Sequence, residues 1–291
     1  MSIELLKEPP IGLAENIPIS SAEAALRGGI NKDDTLETML GSLAIDGPSQ
    51  ARLQADIDRW DGFWERHGSG EGLFDRLLWP TRRLFSARHA KLLLRYMRRH
   101  CAPHEEPLRV LEVGCGSATT SSIIAKTAAG ATIFGVDLSA AAIKVARARN
   151  PNLHCVVADA TALPFAREEF SLAFSSGVIE HFDRSIADQM HAGHCRVTRN
   201  GGTVGLIVPW KHSPYNLLRI LSGDRWPFGH ENPFSIAELG RFTRHHSIRG
   251  VEVNVSYGAT LTGVGRKNEV LAHQIKDAKA NSQEKVLEYA V

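Results

Sequence analysis

The chain has 291 residues, with 34 Lys+Arg against 32 Asp+Glu, 13 His and 4 Cys. That length buries a core without disulfide or metal staples and holds one large domain or two small ones. Hydrophobic residues at 43% and charged residues at 23% exclude a disordered or collagen-like chain. No apolar run reaches the roughly 18 to 20 residues that span a bilayer.

The first residues, Met1 to Ser20, lack the basic start and apolar centre of a secretory leader. Cys101, Cys115, Cys155 and Cys195 show no C-x-x-C pairing, so free thiols in a reducing, cytoplasmic setting are expected. The net charge of +2 hides an uneven spread. Residues 1 to 50 hold eight acids and three bases, so the remainder carries +7. Arg76 to His100 contributes eight Lys/Arg and no acid. Such a run is either a solvated helix face or a surface for an anionic partner.

Four segments are expected along the chain. Residues 1–50, with Pro9, Pro10, Pro18 and Pro48, read as a loosely ordered arm with short helices at Ser21–Arg27 and Asp33–Leu43. Residues 51–104 read as a helical cap. Leu53, Ile57, Trp60, Phe63 and Trp64 form one apolar stripe, Gly68-Ser69-Gly70 breaks the chain, and a second helix follows Pro80. Residues 105–265 alternate short apolar runs with helical periods. Strands are expected at Arg109–Val113, Ala131–Val136, Leu153–Val157, Ser171–Ser175, Thr203–Val208 and Val251–Tyr257. Helices are expected at Thr119–Ala128, Ala140–Arg149, Ile186–Val197 and Ser235–His246. This rhythm is that of an α/β fold with a mostly parallel sheet covered on both faces. An irregular insert, 209–234, interrupts it, and residues 266–291 read as a helical tail.

The chemistry sits at the strand ends. A glycine-rich turn, Gly114-Cys115-Gly116, joins the first strand to its helix, where a ligand approaches backbone closely. A dinucleotide fingerprint would need glycine at Thr119. Asp137 ends the second strand, 21 residues after Gly116, where a carboxylate accepts from ribose hydroxyls. Asp159-Ala160 closes the third strand, where an acid accepts from an adenine amino group. Glu112, Asp137 and Asp159 thus stand at the carboxyl edge of a parallel sheet, the edge where such sheets bind ligands.

At these residues the sequence resembles the class I S-adenosylmethionine-dependent methyltransferases. VLEVGCGSATT, GVDLSAAAIKVARAR, VVADATALPF and FSLAFSSGVIEHF resemble the family's successive motifs, and Arg199-Asn200-Gly201-Gly202 its K-P-G-G turn. The first motif usually continues with a glycine where this chain has Ala118. The resemblance covers about residues 105 to 257. It implies a Rossmann-like, mostly parallel seven-stranded sheet with its last strand antiparallel. Leu261–Val264 and Glu269–His273 are both poor candidates for that strand. It also implies S-adenosyl-L-methionine as cofactor. Glu112, Gly114 and Gly116 would cradle its methionine part, and Asp137 with Leu138 its ribose. Asp159 and Ala160 would read its adenine, with Ser175 or Ser176 near the sulfonium.

Methyl transfer from a sulfonium is an in-line displacement, for which the protein supplies orientation and a dry pocket. Where a general base is needed, the candidates are His181, His212 and His230. No ligand set at metal spacing stands out, since the turn-spaced His191 and His194 have only Cys195 nearby. The insert brings Trp210, Tyr215, Trp226, His230 and Asn232, which suit the pocket of a small organic acceptor. No nucleic-acid-binding module is present, although the basic stretch leaves such a target open. Another reaction on the same cofactor, such as intramolecular cyclisation releasing methylthioadenosine, and a non-catalytic partner protein are the competing readings.

Overall fold

The computed structural model of the protein describes residues 47–68, 73–101 and 107–268. The two short helices expected in the arm and the helical tail from Glu269 lie outside the described residues.

Two long helices come first, α1 (Gly47–His67) and α2 (Leu73–His100). The sequence places the second helix after Pro80, yet α2 runs through it. Pro80 is exposed, so water can satisfy the carbonyl that its missing N–H leaves free. The alternating region follows as β1 (Arg109–Val113), α3 (Thr119–Thr127), β2 (Thr132–Asp137), α4 (Ala140–Arg149) and β3 (His154–Val157). Then come β4 (Phe170–Ser176), a 3₁₀ turn (Ile179–His181), α5 (Arg184–Val197) and β5 (Thr198–Pro209). The chain closes with α6 (Pro214–Ser222), α7 (Ile236–Thr243), β6 (Ile248–Ser256) and β7 (Thr260–Lys267).

The seven strands form one sheet in the order β3-β2-β1-β4-β5-β7-β6. The first five are parallel, and β7 runs antiparallel to both β5 and β6. The last strand is therefore the segment containing Leu261–Val264, extended by three residues at its end to Lys267. Alternate residues of β1 supply the two faces. Val110 packs with Leu93, Tyr96, Ile124 and Ile143, and Leu111 with Phe134, Phe165 and Val197. Helices thus cover both sides, as buried parallel strands require.

Side-chain caps fix where the helices begin. Ser139 accepts from the Ala142 N–H at 3.0 Å, and Asp183 from that of Ile186 at 3.1 Å. Ser235 and Glu238 form a reciprocal capping box. The insert is not irregular throughout. Ser213 caps α6, and Pro214 occupies its first turn. This helix faces the wrong way for an ordinary amphipathic segment. Its polar Asn216 is buried, while Leu217, Leu218, Ile220 and Leu221 are exposed.

Candidate active site

A cavity of about 690 Å³ opens at the carboxyl edge of the parallel strands. One part of its wall is built on the turn after β1. Gly114 and Gly116 both have positive φ, 66° and 52°, as does Ala118 at 52°. Ala118 is where the first motif usually has a further glycine, and it adopts the left-handed backbone without one. A Cβ on Gly114 would lie 2.3 Å from the Val178 side chain, and one on Gly116 would lie 2.4 Å from the Trp64 ring. The glycines therefore admit protein as well as ligand, because α1 lays Trp64 across the turn.

Asp137 ends β2 with each oxygen accepting one backbone N–H. Gly116 donates to Oδ2 at 2.8 Å, and Ser139 to Oδ1 at 3.0 Å. Its remaining lone pairs are left for hydroxyl donors. Glu112 is buried and accepts from the Ser121 N–H, at the start of α3, at 3.1 Å. Burial raises Glu112 to about 7 and Asp137 to about 6. Asp159 accepts from the Thr161 N–H at 2.8 Å, which holds its carboxylate at the cavity wall. Of the residues expected at the cofactor, Glu112, Gly114, Gly116, Asp137, Leu138, Asp159, Ala160 and Ser176 line this cavity, whereas Ser175 is buried off it. Carboxylates for the hydroxyls and a positive-φ turn for the chain fit S-adenosylmethionine.

A second part of the wall is aromatic. Trp60, Phe63, Phe228 and Tyr215 line it, with Phe63 at 5.8 Å from both Trp60 and Phe228. His181 packs edge-on against Trp60 at 4.9 Å. Its Nδ1 lies 3.0 Å from the His230 carbonyl oxygen, which can only accept. Nδ1 therefore carries the proton, and Nε2 keeps its lone pair. Burial lowers His181 to about 4, so the ring is neutral. Glu180 and Glu231 also line the cavity, and both are buried.

Of the substrate-pocket candidates, Tyr215 borders the cavity, whereas Trp210, Trp226, His230 and Asn232 do not. Trp226 buttresses Tyr215 at 5.0 Å, and Asn232 donates to the Phe182 carbonyl at 3.1 Å. Trp210 closes β5 with a bridge to Phe234. His212 is exposed and also lies off the cavity. Among the three histidine candidates, only His181 borders it.

Asp61 and Glu180 carry no sequence signal as site residues. Asp61, on α1, accepts from the Ala141 N–H at 3.1 Å and from the Ser139 hydroxyl. It ties the cap to the residue beside Asp137. A lone acid in a helical stripe carries no signal of such a role.

His191 and His194 are buried and engage the Thr243 and Met190 carbonyls. Among the described residues, one group has metal-ligand geometry, the half-buried Asp188 with the exposed His245 and His246. It lies away from the cavity and is held together by ion pairs of 2.9 and 3.1 Å.

Residues 110–202 match a family model described as a methyltransferase domain. A demethylmenaquinone methyltransferase of Renibacterium salmoninarum is 30% identical over 114 residues, 38% of this chain and 45% of that protein. A phthiotriol/phenolphthiotriol dimycocerosates methyltransferase of Mycobacterium leprae is 35% identical over 99 residues, 32% of this chain and 35% of the relative. The matched segments thus span less than half the length of these relatives. Among solved structures, a SAM-dependent methyltransferase of Thermotoga maritima has a TM-score of 0.56 at 17% identity, covering 71% of this chain and all of that one. The magnesium protoporphyrin IX methyltransferase of Synechocystis, with bound SAH, has a TM-score of 0.54 at 14% identity, covering 74% and 95%. The sheet order, the motif spacing and the match over residues 110–202 together mark a methyltransferase domain with the fold of the S-adenosylmethionine-dependent enzymes.

Proposed function

We propose that the protein transfers a methyl group from S-adenosylmethionine to a small-molecule acceptor held against the aromatic wall of the cavity. The observation that carries this reading is one cavity lined both by the carboxylates Glu112, Asp137 and Asp159 and by four aromatic side chains. When bound, the cofactor supplies an activated methyl on a sulfonium. Glu112, Gly114 and Gly116 would hold its methionine part, Asp137 and Leu138 its ribose, and Asp159 and Ala160 its adenine. Ser176, ending β4, would lie beside the sulfonium.

The chain's own contribution is orientation and the exclusion of water. Trp60, Phe63 and Phe228 wall the acceptor end, which favours an apolar molecule of modest size. The fixed tautomer of His181 leaves Nε2 as the acceptor for a proton released during transfer.

We also read residues 1–50 as an arm, 51–104 as a cap, 105–265 as the core and 266–291 as a tail. The last described strand runs two residues past that core boundary, to Lys267. No described helix is long and apolar enough to cross a membrane. The four free cysteines support a reducing, cytoplasmic setting.

The test is equilibrium titration with S-adenosylhomocysteine, followed by incubation with methyl-labelled cofactor and a metabolite extract. Saturable binding and a labelled small product are expected. No binding at millimolar ligand overturns the reading.

A further inference from the structure

Glu180 and Glu231 are 1% and 4% exposed, and both border the cavity. Each has one buried carboxyl oxygen, Oε2, with no hydrogen-bond partner. Such an oxygen costs free energy unless a ligand satisfies it. The other oxygen of Glu231 accepts from the Tyr215 hydroxyl at 3.0 Å. Asn232 donates its backbone N–H to the Glu180 carbonyl at 2.7 Å, which holds the two acids on adjoining segments.

Three guanidinium groups stand nearby, and each is directed elsewhere. Arg219 Nε donates to Asn216 at 2.9 Å and stays 4.0 Å from Glu231 Oε2. Arg184 lies over the Phe234 ring, 3.5 Å from its centroid, and donates to the Asn232 carbonyl. Arg59 lies over the outer indole of Trp60 and donates to the Phe228 carbonyl at 3.2 Å. The Trp226 indole N–H is a weak donor to Glu231, near enough to favour its carboxylate but outside ordinary hydrogen-bond geometry. Among the described residues, Glu180 therefore has no ion-pair partner of its own, and Glu231 has only the long pair with Arg219.

The same cavity carries the rings of Trp60, Phe63, Tyr215 and Phe228. Aromatic faces attract cations, and they do so most strongly where water is excluded. Unpartnered carboxyl oxygens beside aromatic walls are the complement of an ammonium on an apolar body. Burial favours the protonated form of the two acids, and a bound ammonium would favour the carboxylates, which no anion does.

We propose that the acceptor end of the cavity recognises an amine, with Glu180 and Glu231 as the groups that receive its N–H donors and the rings as its walls. This rests on the methyltransferase reading of the same cavity and names the chemical class of its acceptor.

The probes are 2-phenylethylamine, the neutral 3-phenylpropanol and the anionic 3-phenylpropionate. Each is titrated at neutral pH into the full chain saturated with S-adenosylhomocysteine. The amine should bind at least tenfold more tightly than the alcohol, and the carboxylate should not bind. Glu180→Gln and Glu231→Gln should each weaken the amine by about tenfold or more while leaving the alcohol unchanged. Two variants are used because either carboxyl may be needed for folding, and thermal melting identifies a variant that is not folded. Equal affinity for amine and alcohol overturns the proposal, as does an amine affinity unmoved in both folded variants. So does failure of every probe to bind while S-adenosylhomocysteine binds normally. Failure of S-adenosylhomocysteine itself to bind falls on the methyltransferase reading instead.

Discussion

At the scale of single residues, the turn after β1 is where the sequence has least freedom. Gly116 has φ of 52°, and any Cβ there meets the Trp64 ring at 2.4 Å. The conformation and the contact both penalise a side chain. Gly116→Ala should therefore cost about 1–3 kcal/mol of stability, read from denaturant unfolding, and should also weaken S-adenosylhomocysteine binding. Unchanged stability would show that Trp64 does not hold the turn. Ala118 is a different case, because it adopts the left-handed backbone that glycine usually supplies. Its methyl is fully buried, so packing compensates a backbone cost of about 1–2 kcal/mol. This is why a motif can lose a glycine and keep its shape.

At the scale of elements, Asp61 links α1 to the start of α4. It accepts from the Ala141 N–H and the Ser139 hydroxyl, while Ser139 donates its own N–H to Asp137. Asp61→Ala should cost about 1–2 kcal/mol, as lost caps and buried hydrogen bonds do, and should raise the Kd for S-adenosylhomocysteine. Calorimetric titration of a variant that remains folded checks this, and an unchanged Kd would separate α1 from the cofactor end. Most elements were legible in the sequence, because buried parallel strands read as short apolar runs and their helices as amphipathic periods. The eight cavity residues proposed to hold the cofactor were legible for the same reason, since strand ends can be located by counting. Two elements were not. β7 contains Gly263 and Gly265, which strand propensity disfavours. A Cβ on Gly263 would lie 2.6 Å from Thr243 Oγ1, and one on Gly265 would lie 2.3 Å from Ile248. These glycines serve the packing of α7 and β6, which no local pattern reveals. α6 was missed because its polar residues face inward to Glu231 and Lys211 while its aliphatic ones face out. The acceptor end was legible only as composition. Its tryptophans stand out in the sequence, but four of the five named pocket residues, Trp210, Trp226, His230 and Asn232, lie off the cavity.

At the scale of the whole molecule, buried ionisable groups set the pH range of stability. Burial raises Glu112 to about 7, Asp137 to about 6 and Glu180 to about 8. The folded state then holds these protons more tightly than the unfolded chain, so stability falls as pH climbs from the ordinary carboxyl range toward 8. Burial lowers His89, His181 and His194 to about 4 and His191 to about 3. For these the folded state binds the proton more weakly, so stability falls as pH drops below about 6.5, the unfolded imidazole value. The melting temperature of the ligand-free protein should peak at about pH 6 to 7 and decline on both sides, and Glu180→Gln should flatten the alkaline limb. A plateau extending to pH 9 would contradict this account. The order of strands sets a second constraint, one of timing. β5 pairs with β7 rather than with β6, so the central sheet waits for a strand that begins about fifty residues after β5 ends. At ~5–20 residues per second, a ribosome leaves the β5 edge open for several seconds after its backbone is made. Throughout that interval β6 also lacks its partner. A nascent chain halted before Thr260 would carry two uncovered strand edges, the form most exposed to pairing with a neighbour on the same polysome.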